Sequence, residues 1–307
     1  MKNKMNNKIK VIVTGGAGFI GSNLVDELIK QSFEVHTIDN LATGKKENIN
    51  PKAKFHKADI RDLEKIKPIF TGAKFVFHLA AMPRVQVSIE NPNLTNEVNV
   101  NGALNVLIAA GDAKVKRVIY SASSSAYGNQ NVFPLKESFP ARPLSPYGLQ
   151  KYIGELYCAL FSEIYKLETV SLRYFNVYGA RLGTTGSYPL VIGKFLTQRK
   201  AGEPLTITGD GKQSRDITHV YDVVKANLLA SQSSRVGHGE VINIGGGHDY
   251  SVNQVAKLIG GAVKFIEPRI EPRRTLADIS LAKKLLGWQP TIQLEEGIKE
   301  LKKIYLS

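Results

Sequence analysis

The sequence predicts an α/β fold in which a doubly wound parallel sheet is followed by a smaller α/β lobe. Three observations carry this. Short β-branched runs alternate with amphipathic stretches through the first half, a glycine-rich turn joins the first run to the first helical stretch, and after about Tyr178 the pattern loosens into glycine- and proline-rich segments. The first lobe is expected over residues 1–178, receiving further segments from around 216–244, and the second mainly over 179–307. Neither an internal repeat nor a low-complexity linker lies between them, so the two are expected to share a cleft.

In chain order the runs are KVIVT from Lys10, EVHTID from Glu34, KFHKAD from Lys54, KFVFHLA from Lys74, RVIYSA from Arg117 and TVSLRY from Thr169. An amphipathic stretch separates each from the next, the pattern of βαβ units and parallel strands. In the second half, helices are predicted over Pro189–Lys200, Ile279–Leu286 and Leu294–Tyr305. Trp288 is expected in the core, Cys158 as a small buried residue and His219 as a packed aromatic.

A chain of 307 residues can bury a sizeable core without staples. Its one cysteine closes no internal disulfide, no apolar run approaches the ~18 residues of a membrane span, and the basic start MKNKMNNK lacks a signal peptide's apolar core. A cytoplasmic protein with no membrane partner is expected. The formal charge of +14, from 41 basic and 27 acidic residues, raises the question of nucleic acid. The basic residues are dispersed without aromatic interleaving, so no nucleic acid partner is expected, and a positive cleft for a small phosphorylated ligand is favoured. The six histidines lack metal-ligand spacing, so no metal is expected.

In VIVTGGAGFIGS, Gly15, Gly18 and Gly21 follow the first strand and open the first helix. The first permits a tight turn, the second lets backbone N–H groups approach a pyrophosphate, and the third permits close helix packing. The second strand ends at Asp39, whose carboxylate can accept both hydroxyls of an adenosine ribose and disfavours a 2′-phosphate. A Rossmann-type first lobe holding NAD rather than NADP follows. Asp59-Ile60, after the third strand, either reaches the adenine or forms a plain loop.

The chemistry is expected in SPYGLQK, where Tyr147 and Lys151 stand four apart on one helix face. A neighbouring ammonium favours the phenolate, each pKa unit being about 1.4 kcal/mol, so Tyr147 is expected to be a base that takes a hydroxyl proton while hydride leaves the carbon. Such a pair also arises by chance on surface helices. Here it accompanies the glycine loop and the hydroxyl-rich SASSSAYG, Ser121 to Gly128.

Together with IDNLATGKKENI, HLAA (His78 to Ala81), NVNG (Asn99 to Gly102), RYFNVYG (Arg173 to Gly179), GDGKQSRD (Gly209 to Asp216) and LADISLAKKLLGW (Leu276 to Trp288), these motifs run in an order that resembles the extended short-chain dehydrogenase/reductase enzymes acting on nucleotide sugars, and the UDP-sugar 4-epimerases among them. The resemblance extends essentially end to end. It implies Ser123, Tyr147 and Lys151 as catalytic residues. It implies cofactor contacts from Gly15, Gly18, Phe19, Ile20, Gly21, Asp39, Asn40, Asp59, Ile60, Leu79, Ala80, Ala81, Asn99, Tyr147, Lys151 and Tyr174, and a homodimer formed through paired helices.

Branches of that family differ after oxidising the sugar at C4. The 4,6-dehydratases carry an Asp-Glu pair in the segment matching SASSSAYG, and glucuronate decarboxylases a glutamate two residues before its tyrosine; Ser124 and Ser125 stand there in this chain. Elimination needs an acid and a base, whereas returning hydride to the other face of the ketose needs neither. The serines beyond Ser123 also serve to satisfy backbone groups at a strand end. The resemblance therefore implies C4 epimerisation of a UDP-sugar, with NAD as a resident catalyst.

Substrate contacts are implied for Ser123, Asn176, Val191, Arg215, Arg269 and Thr275. Asn176 stands where glucuronate 4-epimerases tend to carry threonine, which favours an uncharged hexose. Arg215 and Arg269 match arginines that hold the diphosphate and uridine, a fork suited to phosphate, although surface charge also accounts for Arg269. The segment around it is one residue shorter than the family's usual pattern, which leaves a ribose contact from Glu271 open. Thr275 replaces a bulky tyrosine of some epimerases, and with RLGTTGSYPLVIGKF it inclines the reading to UDP-GlcNAc/UDP-GalNAc, with UDP-Glc/UDP-Gal alongside. The alternatives are a UDP-glucuronate 4-epimerase, decarboxylase or 4,6-dehydratase, and a non-catalytic NAD-binding sensor, which would not need Ser123, Tyr147 and Lys151 together.

Overall fold

Val11 and Val13 point to one face of the first strand and Ile12 to the other, and all three are fully buried. Because side chains alternate along a strand, burial on both sides means helices on both sides. The computed structural model, which describes residues 8–183, 190–268 and 272–306, has that arrangement. On the Val11 face, Leu24 and Leu28 of helix Phe19–Lys30 pack with Val223 of helix Val220–Gln232 and with Leu286 and Trp288. On the Ile12 face lie Ile66 and Phe70 of helix Leu63–Phe70, Val106 of helix Gly102–Asp112, and Cys158 and Phe161 of helix Pro146–Tyr165.

The sheet between these layers has seven strands in the order His238–Ile244, Glu168–Tyr174, Arg117–Ser123, Phe75–His78, Lys10–Thr14, Glu34–Asp39 and Lys54–Lys57, all parallel. Lys10–Thr14 is flanked by the second and the fourth strands in chain order, so the order reverses there. A crevice opens at such a switch point, beyond the carboxyl ends of the strands. The six runs read from the sequence form six of these strands: KVIVT and EVHTID match end to end, and the other four have an end moved by one or two residues. The seventh, His238–Ile244, was missing from those runs because it starts on a glycine-containing bulge, with Gly239 at φ +84°, that shortens its β signal to VINI.

The remaining strands are short. Leu205–Thr208 pairs with Val263–Ile266, Val177–Tyr178 with Thr218–His219, and Ser214–Asp216 lies between Asp249–Ser251 and Arg274–Thr275. A separate core of Phe195, Leu196, Leu205, Ile259 and Leu301 supports them. The predicted helices are observed as Val191–Lys200, Ser280–Leu286 and Leu294–Tyr305; Pro189 lies outside the described residues.

Trp288 is fully buried and donates to the Asp222 carbonyl at 2.8 Å. His219 packs edge-on against Tyr178 at 5.0 Å and beside Tyr221, and burial pulls its pKa down to about 4, so it sits there neutral. No helix among the described residues is long and apolar enough to cross a membrane.

Candidate active site

The crevice begins where the first strand ends. Gly15 takes φ +73°, and a Cβ there would lie 2.7 Å from the Ala80 backbone nitrogen, so only glycine lets the turn meet the Leu79–Ala80 backbone. A Cβ at Gly21 would overlap the Gly15 carbonyl, which seats helix Phe19–Lys30 against the turn. Gly18 caps that helix without a side-chain bond, leaving its first N–H groups directed at the crevice. Thr14 ties the wall together: its carbonyl accepts from Leu79 N and its hydroxyl from Ala80 N, both at 3.2 Å, and the hydroxyl bonds His78 Nδ1 at 2.7 Å. Burial, with the Lys151 charge adding to it, pulls His78 down to about 3, so the ring is neutral.

Asp39 ends the second strand beside this turn, accepting from Ala17 N at 3.0 Å and Leu41 N at 2.8 Å. Gly44 closes over it; a Cβ there would come within 2.8 Å of Asp39 Oδ1. Asn40 donates to Asp59 at 2.8 Å, and Arg61 grips Asp59 through Nε and Nη2 at 3.0 and 2.8 Å, holding its carboxyl down to about 2. Ile60 is buried against Gly102.

The expected catalytic residues stand on helix Pro146–Tyr165. Ser145 caps it by accepting from Gly148 N at 3.2 Å, and Gly148 lets its first turn press on the Ser125 carbonyl. The phenol of Tyr147 thereby bonds the Ser123 hydroxyl. Ser123 also donates to Ser125 Oγ at 3.1 Å and accepts from Ser125 N at 3.2 Å, while the Ser124 carbonyl accepts from Tyr127 N at 3.1 Å.

Lys151, one helical turn on, is buried. It donates to the Ser121 carbonyl at 2.7 Å and lies 5.0 Å from the centre of the Tyr120 ring. Burial pulls its ammonium down to about 8. Burial also raises the Tyr147 pKa; the Ser123 bond and then the Arg84 charge oppose the rise. The sequence expectation that Lys151 favours the phenolate is thus replaced in this arrangement by Ser123 and Arg84, because Lys151 is turned to a backbone carbonyl.

Two expected cofactor residues use their polar groups within the protein. Asn99, on a π-helical turn over Glu97–Asn101, accepts from Met82 N at 2.7 Å and donates to Gln150 Oε1 at 2.9 Å. Tyr174 bonds Asn227 in the core, and burial raises its pKa.

On the second-lobe side, Asn176 at φ +30° donates to the Asp216 carbonyl at 2.6 Å and approaches Thr275 Oγ1 at 3.5 Å. Thr275 pairs in register with Arg215, and its hydroxyl accepts from Asp216 N at 3.3 Å. The buried Asp216 carboxyl clasps Gly246 N, Gly247 N and Ala277 N, yet burial pushes it up to about 7. Val191 opens the helix Val191–Lys200 and packs on the second core. Arg269, Glu271 and residues 184–189 of the RLGTTGSYPLVIGKF segment lie outside the described residues.

The model of the NAD dependent epimerase/dehydratase family matches residues 11–245. The chain belongs to that family. Membership makes it an NAD-dependent enzyme of the epimerase kind, and NAD is its cofactor. It is 36% identical to a UDP-glucose 4-epimerase of Mycolicibacterium smegmatis over 94% of this chain and 96% of that one. Among solved structures, a UDP-glucose 4-epimerase of Thermotoga maritima with UDP-glucose superposes at TM-score 0.91, with 40% identity over 96% of this chain and 99% of that one. A UDP-N-acetylglucosamine 4-epimerase of Methanobrevibacter ruminantium in complex with UDP-N-acetylmuramic acid superposes at 0.92, with 38% identity over 96% and 97%.

The family's cofactor fits what the crevice offers: a turn without room for a Cβ, an uncapped helix N-terminus for a pyrophosphate and a buried acid at the second strand end. Sequence reasoning missed Arg84, Ser88 and Gln150. Ser88 accepts from Tyr147 N at 3.0 Å, and Gln150 links Asn99 to Thr95. Arg84 had one signal, the single cation in the MPRVQVSI stretch following HLAA. Gly15→Ala is expected to lower the NAD released on denaturing the purified protein at least ~10-fold, measured by absorbance against the parent.

Proposed function

We propose that the protein interconverts the C4 epimers of a UDP-hexose, with UDP-GlcNAc and UDP-GalNAc as its main pair and UDP-Glc and UDP-Gal also accepted. The observation that carries this reading is the chemistry around Tyr147: Ser123 and Arg84 bear on the phenol, and Ser124 and Ser125 occupy the neighbouring turn where elimination or decarboxylation would need carboxylates. Hydroxyls and a cation serve proton removal from O4. They offer nothing to expel water or carbon dioxide.

In this reading Tyr147 takes the O4 proton through the hydrogen bond it shares with Ser123, and Ser123 holds O4 in place. NAD, when bound, supplies a reversible acceptor for the C4 hydride. Lys151 keeps a positive charge behind the reacting carbon while anchored to the Ser121 carbonyl. After the ketose turns over, Tyr147 returns the proton to O4, so no net oxidation occurs. Arg215 meets the diphosphate, and Asn176 and Thr275 line the sugar side. The short Thr275 side chain, already engaged by Asp216 N, leaves room for an acetamido group.

A second reading, a UDP-glucuronate 4-epimerase, is favoured by one observation: the Arg84 charge beside Tyr147 would suit a carboxylate at C6.

A homodimer also belongs to this reading. Helix Pro146–Tyr165 exposes Leu149, Leu156, Leu160 and Ile164, spaced as one helical stripe, and Leu94 is exposed on the adjacent helix Pro92–Asn96. A second copy of the chain, presenting the same stripe, buries it.

Purified protein without added NAD is expected to invert C4 of UDP-GlcNAc, followed by anomeric proton NMR, with UDP-Glc and UDP-GlcA run separately. Inversion of UDP-GlcA alone establishes the second reading, and Tyr147→Phe should lose most turnover with every substrate. Thr275→Tyr should suppress the acetylated pair at least ~10-fold and spare the plain pair; equal loss on both removes that role from Thr275. Sedimentation should give a dimer that Leu156→Glu with Leu160→Glu converts to monomer, and a monomeric parent rejects the helix stripe as an interface.

A further inference from the structure

Tyr147 and Lys151 continue into a third buried polar residue, Glu155, another turn along the same helix face. Its carboxylate, 2% exposed, accepts from Arg173 Nε at 2.8 Å and Nη2 at 2.6 Å, a bidentate pair between the catalytic helix and strand Glu168–Tyr174. The Arg173 guanidinium lies 4.5 Å from the centre of the Tyr127 ring, at the end of the serine-rich turn. The Tyr127 hydroxyl donates to Asn243 at 2.7 Å, Asn243 donates to the Leu135 carbonyl at 2.9 Å, and Leu135 N donates to the carbonyl of Leu276, beside Thr275, at 2.7 Å. A buried ion pair is weak evidence for stability, since apolar replacements are often neutral or better. Its place one turn from Lys151 points to another role.

We propose that Glu155 is a positioning residue for the reaction: paired with Arg173, it supplies the negative charge that keeps the buried Lys151 an ammonium. This rests on the reading of Lys151 as part of the catalytic face, but not on which sugar is turned over. The groups facing Lys151 are few. Strand Arg117–Ser123 presents the Tyr120 ring and the Ser121 carbonyl, strand Phe75–His78 presents His78, and the helix itself presents Cys158 and Glu155.

Burial lowers Lys151 to about 8, with Cys158 and Glu155 opposing. The Cys158 thiol is pushed up to about 12 by burial, so it is uncharged where Lys151 titrates, and His78 is neutral. Burial raises the Glu155 carboxyl, and the Arg173 bonds and Lys151 hold it back. Glu155 is therefore the acid that acts on Lys151. Removing its charge leaves Arg173, which stays protonated, as an unbalanced cation beside a second cation. Lys151 must then lose its proton at lower pH.

The test follows Lys151 itself. In the NAD-containing enzyme, lysine labelled with 13C at Cε is titrated by NMR, with the Lys151 resonance assigned by its absence in Lys151→Met. Glu155→Gln is expected to move the midpoint down by about one pH unit or more, and the alkaline limb of kcat with it, leaving KM unmoved. Glu155→Asp, which keeps the charge, should titrate near the parent. A folded Glu155→Gln protein with a lower melting temperature and an unmoved midpoint overturns the proposal. Should Glu155→Gln fail to fold, Arg173→Met decides: it leaves Glu155 as the one counter-charge and should move the midpoint up, and an unmoved or lowered midpoint overturns the proposal.

Discussion

All seven strands of the central sheet run the same way, and that single constraint forces their carboxyl ends onto one edge. Thr14, Asp39, His78, Ser123 and Tyr174 lie far apart in the chain and end neighbouring strands in the sheet. Register is as important as direction. A slip by one residue would turn Val11 and Val13 to the face that Ile12 occupies and send the hydroxyl of Ser123 the wrong way, and both faces are fully packed against such a slip. The crevice, the glycine turn and helix Pro146–Tyr165 all inherit their positions from this ladder.

Removal of water is the dominant electrostatic effect at the site. It lowers the ammonium of Lys151, raises the phenol of Tyr147 and keeps His78 neutral, each for the same reason: the charged form loses hydration. Against that background a neighbouring group matters by sign. A carboxylate next to Tyr147 would oppose the phenolate, whereas a serine hydroxyl donates to it and a guanidinium attracts it. The hydroxyl-rich turn and Arg84 are therefore one electrostatic device with the tyrosine, and the buried Glu155–Arg173 pair stands behind it on the lysine side.

Polar contacts help fasten the later segments to this edge, beside an apolar cluster of Tyr127, Leu135, Phe175 and Ala277. Asp216 gathers backbone N–H groups from Gly246, Gly247 and Ala277, and a Cβ on Gly245 would collide with that carboxyl, so the clasp depends on glycine next to it. Asn176 accepts a left-handed backbone to reach the same strand. Arg215 and Thr275, 60 positions apart, become ladder partners as a result. One short sheet thus brings Arg215 and Thr275 side by side, with Asn176 next to them.

The sequence by itself determined the layer order and the Rossmann-type first lobe, because period-two runs and a glycine turn are local signals, and it placed Tyr147 and Lys151 on one helix face by their spacing. The edges of KFVFHLA, the glycine-interrupted seventh strand and the π-helical turn at Asn99 were less legible, since ladder pairing and packing set them rather than propensity. Only the tertiary structure decided where Lys151 points, that Asn99 and Tyr174 spend their polar groups inside the protein, and that the Arg84 charge bears on the phenol. The physical reason is common to all of these. Spacing along a chain says which residues share a face, whereas a hydrogen-bond partner and the loss of water belong to whatever other segment folds against that face.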